Sequence, residues 1–186
     1  MTHPARAALL IPGRVPIHQP TLAFAAEAIN RRGGYLHRIT WSPPDGSLSE
    51  LVPWVRLQVE VALAALVTDR PLAWLPLLVG KSLGTLAAPV AAELGLPAIW
   101  FTPVLDQPEV AAGYATTAPA LYVGGTADSM WDGALARSLS PHVLEVEGAD
   151  HGMFVPGPLS ASGAVFGQIG AAVERFIDEV VWTGTG

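Results

Sequence analysis

The chain has 186 residues, no cysteine, charged side chains at 14% and a formal net charge of −6. These values exclude a disulfide framework, thiolate catalysis and cysteine metal sites, and an acidic balance with no basic run argues against nucleic acid. The hydrophobic share is 51%, yet Pro71, Pro76, Pro89 or a charge breaks every apolar stretch short of the ~18 residues that a membrane span needs.

The length fits a single domain over 1–186, large enough to bury its own core. Ala7 to Ile11 is too short for the core of a signal peptide. The lack of cysteine fits a cytoplasmic protein, and the sparse charge leaves neutral surface on which a homodimer could form.

Ala7 to Ile11 reads as a strand covered on both faces, ended by Pro12-Gly13. After a proline-containing loop, Thr21 is expected to cap a helix with Leu22, Ala26 and Ile29 on its apolar face, closed by Arg31, Arg32 and Gly33-Gly34. Tyr35 to Trp41 alternates and reads as a half-covered edge strand. The turn Ser42 to Ser47 leads to a helix from about Ser49 to Val67, with Pro53 in its first turn.

The next strand is expected over about Leu75 to Val79, running into Gly80-Lys81-Ser82-Leu83-Gly84 and a helix that carries no charge before Glu93. Strand, tight turn and helix in that order are what Gly-x-Ser-x-Gly needs to lift a strained serine above a sheet edge, at a helix N-terminus where unpaired N–H groups favour negative charge. A phosphate-binding loop would require glycine in place of Leu75 and a loose segment before Lys81, and neither is present. Lys81 is read as the variable position of the turn, packing beneath it, and Pro89 as a kink in the helix.

Pro97 to Thr102 is a further apolar strand, and Pro103 to Pro119 is short and mixed. Ala120 to Val123 is the fifth strand, Trp131 to Leu139 a small helix that includes Asp132, and His142 to Glu147 an alternating strand suited to the opposite edge. The last helix carries Val165, Ile169, Val173, Phe176 and Val180 on one stripe. Six strands alternating with helices make a doubly wound parallel α/β sheet. Covered strands inside and half-covered strands outside give the order 2-1-3-4-5-6.

A ligand in such a sheet binds beyond the carboxyl ends of the strands, near the reversal of winding between the first and third. Ser82 ends the third strand there. Asp128 follows the fifth strand in Gly125-Thr126-Ala127-Asp128, and His151 follows the sixth in Asp150-His151-Gly152. A serine needs a base to take its proton and a third group to hold that base. Asp132 and Asp150 are rivals for the third role, Asp132 disfavoured inside a helix and Asp150 by its adjacency to His151. The plainer readings are a helix-capping Ser82 and a loop histidine. His3, His18, His37 and His142 lack metal-ligand spacing and read as surface or edge residues, with His18 also near enough in sequence to the site loop to line a pocket. No metal or cofactor is called for.

The order Ser82, Asp128, His151, together with these three motifs, resembles the α/β-hydrolase superfamily over Ala7 to the final helix. The resemblance is to its small, lidless members, similar to dienelactone hydrolases and esterases. It implies Ser82 as nucleophile, His151 as base, Asp128 as its partner, and an oxyanion hole formed by the N–H groups of Leu83 and Arg14. Pro12-Gly13 stands where the family often has His-Gly. Pro103 to Pro119 is too short for a lid, so loops at Arg14–Pro20, Ser42–Ser47, Pro103–Pro119, Ser129–Asp132 and Gly152–Ser162 should wall the site, with Trp131 and Phe154 as candidate lining. The implied activity is a serine hydrolase for a small acyl substrate, an ester or thioester foremost, with lactone and amide passing through the same oxyanion. A lyase, an acyltransferase or a binding module on the same scaffold is the alternative.

Overall fold

Four short apolar runs and two alternating ones form one parallel sheet in the computed structural model, which describes residues 6–15, 19–68 and 75–183. The strands are β1 (Ala7–Ile11), β2 (Tyr35–Arg38), β3 (Leu77–Lys81), β4 (Ala98–Phe101), β5 (Ala120–Gly125) and β6 (His142–Val146). Their order is β2-β1-β3-β4-β5-β6, with every neighbouring pair parallel. β1, β3, β4 and β5 are buried throughout, whereas β2 and β6 are partly open, as continuous and alternating patterns require.

Helices cover both faces. On one side lie α1 (Pro20–Arg31) and α6 (Leu159–Phe176), whose Ala25, Ile29, Ile169 and Val173 pack on Leu10, Val79, Ile99 and Val123. On the other lie α2 (Leu48–Thr68), α3 (Ala88–Leu94), a single turn α4 (Pro108–Ala111) and α5 (Gly133–Leu139). There Val55, Val59, Leu86 and Tyr114 pack on Leu9, Leu78, Trp100 and Tyr122. Burying side chains of this size contributes roughly 1.5–3 kcal/mol each. Arg32 at the end of α1 ties it to Glu174 of α6 at 3.2 Å and to Asp178, just past the end of α6, at 2.6 Å, and Arg56 joins α2 to Glu93 of α3.

Several boundaries differ from expectation for local reasons. β3 runs two residues further, to Lys81, because Gly80 leaves room for the Trp100 ring and the Gly84 carbonyl and so keeps the strand in the sheet. β2 stops at Arg38, although Trp41 still turns inward and is buried. Thr21 does not cap α1. Pro20 takes the first helical position, where its missing N–H costs nothing, and Thr21 is buried behind it. The chain leaves Ser82 as a 3₁₀ turn to Ala87, and only then becomes α3, so Pro89 sits in a first turn and kinks nothing. Asp132 lies outside α5 as its cap, its carboxylate accepting from the Leu135 N–H at 2.9 Å. The last helix ends in a π turn, Ile177–Val181, that its apolar stripe does not foretell. Among the described residues, no helix is long and apolar enough to cross a membrane.

Candidate active site

Among the described residues, Ser82 is one of three non-glycine residues with positive φ, at 50°, the conformation that the tight turn after β3 forces. Its flanking glycines are needed sterically. A Cβ on Gly84 would press into the main chain of β1, 2.6 Å from the Pro12 oxygen and 2.8 Å from the Ile11 carbonyl carbon, and one on Gly80 would lie 2.7 Å from the Gly84 oxygen. The first turn is then fixed from below. The Thr85 hydroxyl donates to the Ser82 carbonyl at 2.7 Å and meets the buried Tyr114 hydroxyl at 2.6 Å.

The loops after β5 and β6 are joined by main-chain bonds, Thr126 N–H to the Val146 carbonyl and Ala127 N–H to the Ala149 carbonyl, both 3.0 Å. Gly125 permits this approach, since any side chain there would strike Ala149. Asp128 and His151 are thereby brought together: His151 Nδ1 lies 2.8 Å from Asp128 Oδ2, and His151 Nε2 lies 2.8 Å from Ser82 Oγ. The Asp128 carboxylate is nearly sealed from solvent while the imidazole is about 38% exposed. Burial pushes the Asp128 carboxyl up. The hydrogen bond from His151, a 3.0 Å bond from the Met130 N–H and the nearby positive charge of His151 and Lys81 outweigh it, and its pKa lies below the ordinary aspartate value.

The rival carboxylates are occupied otherwise. Asp150 Oδ1 accepts from the N–H groups of Gly152 at 2.8 Å and Phe154 at 2.9 Å, folding the loop that carries His151, and Asp132 caps α5. Leu83 occupies the first turn of the 3₁₀ segment, where N–H groups have no partner within the helix. Gly13 lies beside Ser82, close enough that a Cβ on it would be 3.5 Å from the Ser82 Cβ, so the main chain at Gly13-Arg14 borders Ser82. The Arg14 guanidinium points elsewhere, donating to the carbonyls of Pro44 at 3.3 Å and Gly46 at 3.0 Å. Trp131 covers Gly124 and donates to Glu145 at 2.7 Å, and Phe154 packs edge-on against Phe166. His37 and His142 lie in the edge strands β2 and β6, while His3, His18 and part of the Arg14–Pro20 loop fall outside the described residues. Among the described residues, no three ligand side chains converge on a metal position.

Two residues bear on the site that the sequence reading did not single out for it. Trp41, buried and in tilted ring contact with Trp54, donates its indole N–H to the Gly13 carbonyl at 3.0 Å. Lys81 does pack beneath the turn, as expected, but with its ammonium buried and bonded to Thr102 Oγ1 at 2.8 Å and to the His151 carbonyl at 2.9 Å. A signal for Lys81 was available, since it is the single charged residue between Arg70 and Glu93.

This architecture recurs in solved structures. A protein of the alpha/beta hydrolase superfamily from Xanthomonas campestris pv. campestris matches with a TM-score of 0.68 at 21% identity, over 94% of this chain and 99% of that one. Est1E from Butyrivibrio proteoclasticus, solved with ferulic acid bound, matches with a TM-score of 0.69 at 13% identity, over 96% and 90% of the two chains. An alpha-beta serine hydrolase homologue from Coxiella burnetii matches with a TM-score of 0.58 at 17% identity, over 94% and 85%. No protein-family model and no curated protein matches the sequence. The chain has the α/β-hydrolase fold, with six parallel strands and, among the described residues, no cap domain.

Proposed function

We propose that the protein is a serine hydrolase acting on a carboxylic ester or thioester through an acyl-enzyme intermediate. The observation that carries this reading is the chain of two 2.8 Å contacts from Ser82 through His151 to Asp128. With Nδ1–H donated to the ionised Asp128, the imidazole presents a bare Nε2 to the serine hydroxyl, the tautomer that a general base requires.

Ser82 Oγ attacks the substrate carbonyl carbon as its proton passes to His151 Nε2. The carbonyl oxygen takes the electron pair and becomes an oxyanion, held by the N–H groups of Leu83 and Arg14 at the turn after β3 and the loop after β1. Collapse expels the alkoxide or thiolate, which takes the proton from His151 and leaves Ser82 acylated. Water then repeats the cycle, giving a proton to His151 as it attacks, and the acid departs as Ser82 recovers its hydrogen. Phe154, about 41% exposed on the loop that bears His151, offers an apolar wall to the acyl group.

A fluorophosphonate probe tests the reading without knowledge of the substrate. The folded protein should be labelled at Ser82 and Ser82→Ala should not, with the two melting alike because alanine is no larger than serine. A folded wild-type protein that resists the probe, or a variant that labels equally well, overturns it.

A further inference from the structure

Lys81 sits where the polypeptide gains nothing in stability from a charge. It is about 7% exposed, directly before Ser82, in a strand buried on both faces. Burying an ammonium is costly unless its protons find acceptors, and an apolar residue of the same length would pack there without that cost. Its protons go to two places that matter for the site. One is the hydroxyl of Thr102, at the carboxyl end of β4, whose φ of 44° marks a second strained position on the same edge. The other is the main-chain carbonyl of His151 itself.

The charged groups that act on this ammonium are Asp128, from the loop after β5, and Asp150, from the loop after β6, with His151 beside it in the same loop. Arg14, from the loop after β1, is turned away to Pro44 and Gly46. Asp128 therefore feels the charge of Lys81 as well as the imidazole that it holds at 2.8 Å.

On the reading given above, we infer that Lys81 is a positioning residue for His151. It ties the histidine loop to the nucleophile strand through the His151 carbonyl, and its positive charge acts on Asp128, the same carboxylate that holds the imidazole. A cation that shares the carboxylate weakens the carboxylate's hold on an imidazolium, so removing the cation makes the ring easier to protonate. Misplacing the base by a fraction of an ångström also lowers the rate.

The test compares Lys81→Met and Lys81→Gln with the wild type. Lys81→Met keeps the length without charge or donor, and Lys81→Gln keeps a donor without charge. Fluorophosphonate labelling is followed from pH 4.5 to 8, alongside the His151 ring resonances by NMR over the same range. Lys81→Met should label roughly tenfold more slowly at pH 7, and both variants should move the midpoint of the acid limb up by about 0.5 pH unit or more. Lys81→Gln should recover part of the plateau rate. Lys81→Met within twofold of wild type with an unmoved midpoint overturns the inference, and so does a slower rate with an unmoved midpoint, because a packing defect alone produces that. If Lys81→Met does not fold, the midpoint in Lys81→Gln decides. The NMR midpoint needs no turnover, so it judges Lys81 even if the wild type resists labelling, an outcome that strikes the hydrolase reading instead.

Discussion

The indole of Trp41 holds the carbonyl of Gly13 at 3.0 Å. That carbonyl and the N–H of Arg14 belong to one peptide unit, and in a trans peptide they point in opposite directions. Gripping the oxygen therefore aims the N–H. In the proposed mechanism that N–H is the second oxyanion donor, so Trp41→Phe, which keeps a ring against Trp54 but loses the donor, should slow labelling and turnover by roughly tenfold. The cost to stability should be only about 1 kcal/mol. A variant as active as wild type would detach Trp41 from the site.

The three aspartates separate by what their carboxylates touch. Asp128→Asn should lower turnover by about 10³ to 10⁴, since the amide favours the wrong imidazole tautomer. Asp150→Asn retains an oxygen for the Gly152 and Phe154 N–H groups and should cost far less. Asp132→Ala should lose a helix cap, worth about 1 kcal/mol of stability, with little change in rate. Rates and melting curves on all three decide the matter. A crippled Asp150→Asn beside an active Asp128→Asn would transfer the role.

Gly84→Ala tests the steric basis of the turn. The added carbon meets main chain of β1, which cannot swing aside as a side chain can. Urea unfolding should record a loss of about 2–4 kcal/mol. Any folded fraction should label poorly, because Ser82 is pushed from Gly13-Arg14.

Burial lowers the Lys81 ammonium from its ordinary value to about 8, with Asp128 and Asp150 only partly restoring it. Between pH 8 and about 9.5 the unfolded chain keeps a proton that the folded one has released, so unfolding free energy should rise with pH there, by about 1–2 kcal/mol. Lys81→Met should lack that rise. Above pH 10 the trend reverses, because burial pushes the hydroxyls of Tyr114 and Tyr122 well above the ordinary tyrosine value and the unfolded chain then ionises first. Urea titrations at pH 7.5 and 9.5 check the sign; a fall in stability contradicts it.

Much of the fold was legible because strand burial writes itself locally. Continuous apolar runs at Ala7–Ile11 and Ala98–Phe101 and alternation at His142–Val146 suffice to order the sheet, and each strand end marks where a site residue emerges. The contacts of Lys81 and Trp41 were not legible, since Thr102 and Gly13 become their neighbours only across the sheet. Asp132 was misread for a smaller reason: an aspartate at a helix start and one a residue inside it look alike until the cap bond is seen. The 3₁₀ turn after Ser82 depends on how tightly Gly84 packs on β1, a distance that no periodicity records.

Arg6 lies over the ring of Trp182 at 5.4 Å and donates to the Arg32 carbonyl at 2.9 Å, so the first and last turns of the described chain are neighbours. A linker joining Arg6 directly to Trp182 would close the described chain into a ring, and new ends could be opened at the turn through Gly95, where φ is 63° and a side chain would meet open space. That turn enters β4 at the amino edge of the sheet, whereas Ser82, Asp128 and His151 follow the carboxyl ends of β3, β5 and β6. A circular permutant cut there would carry β4, β5 and β6 ahead of β1 and β3 in sequence, presenting histidine and aspartate before serine with the three side chains unmoved.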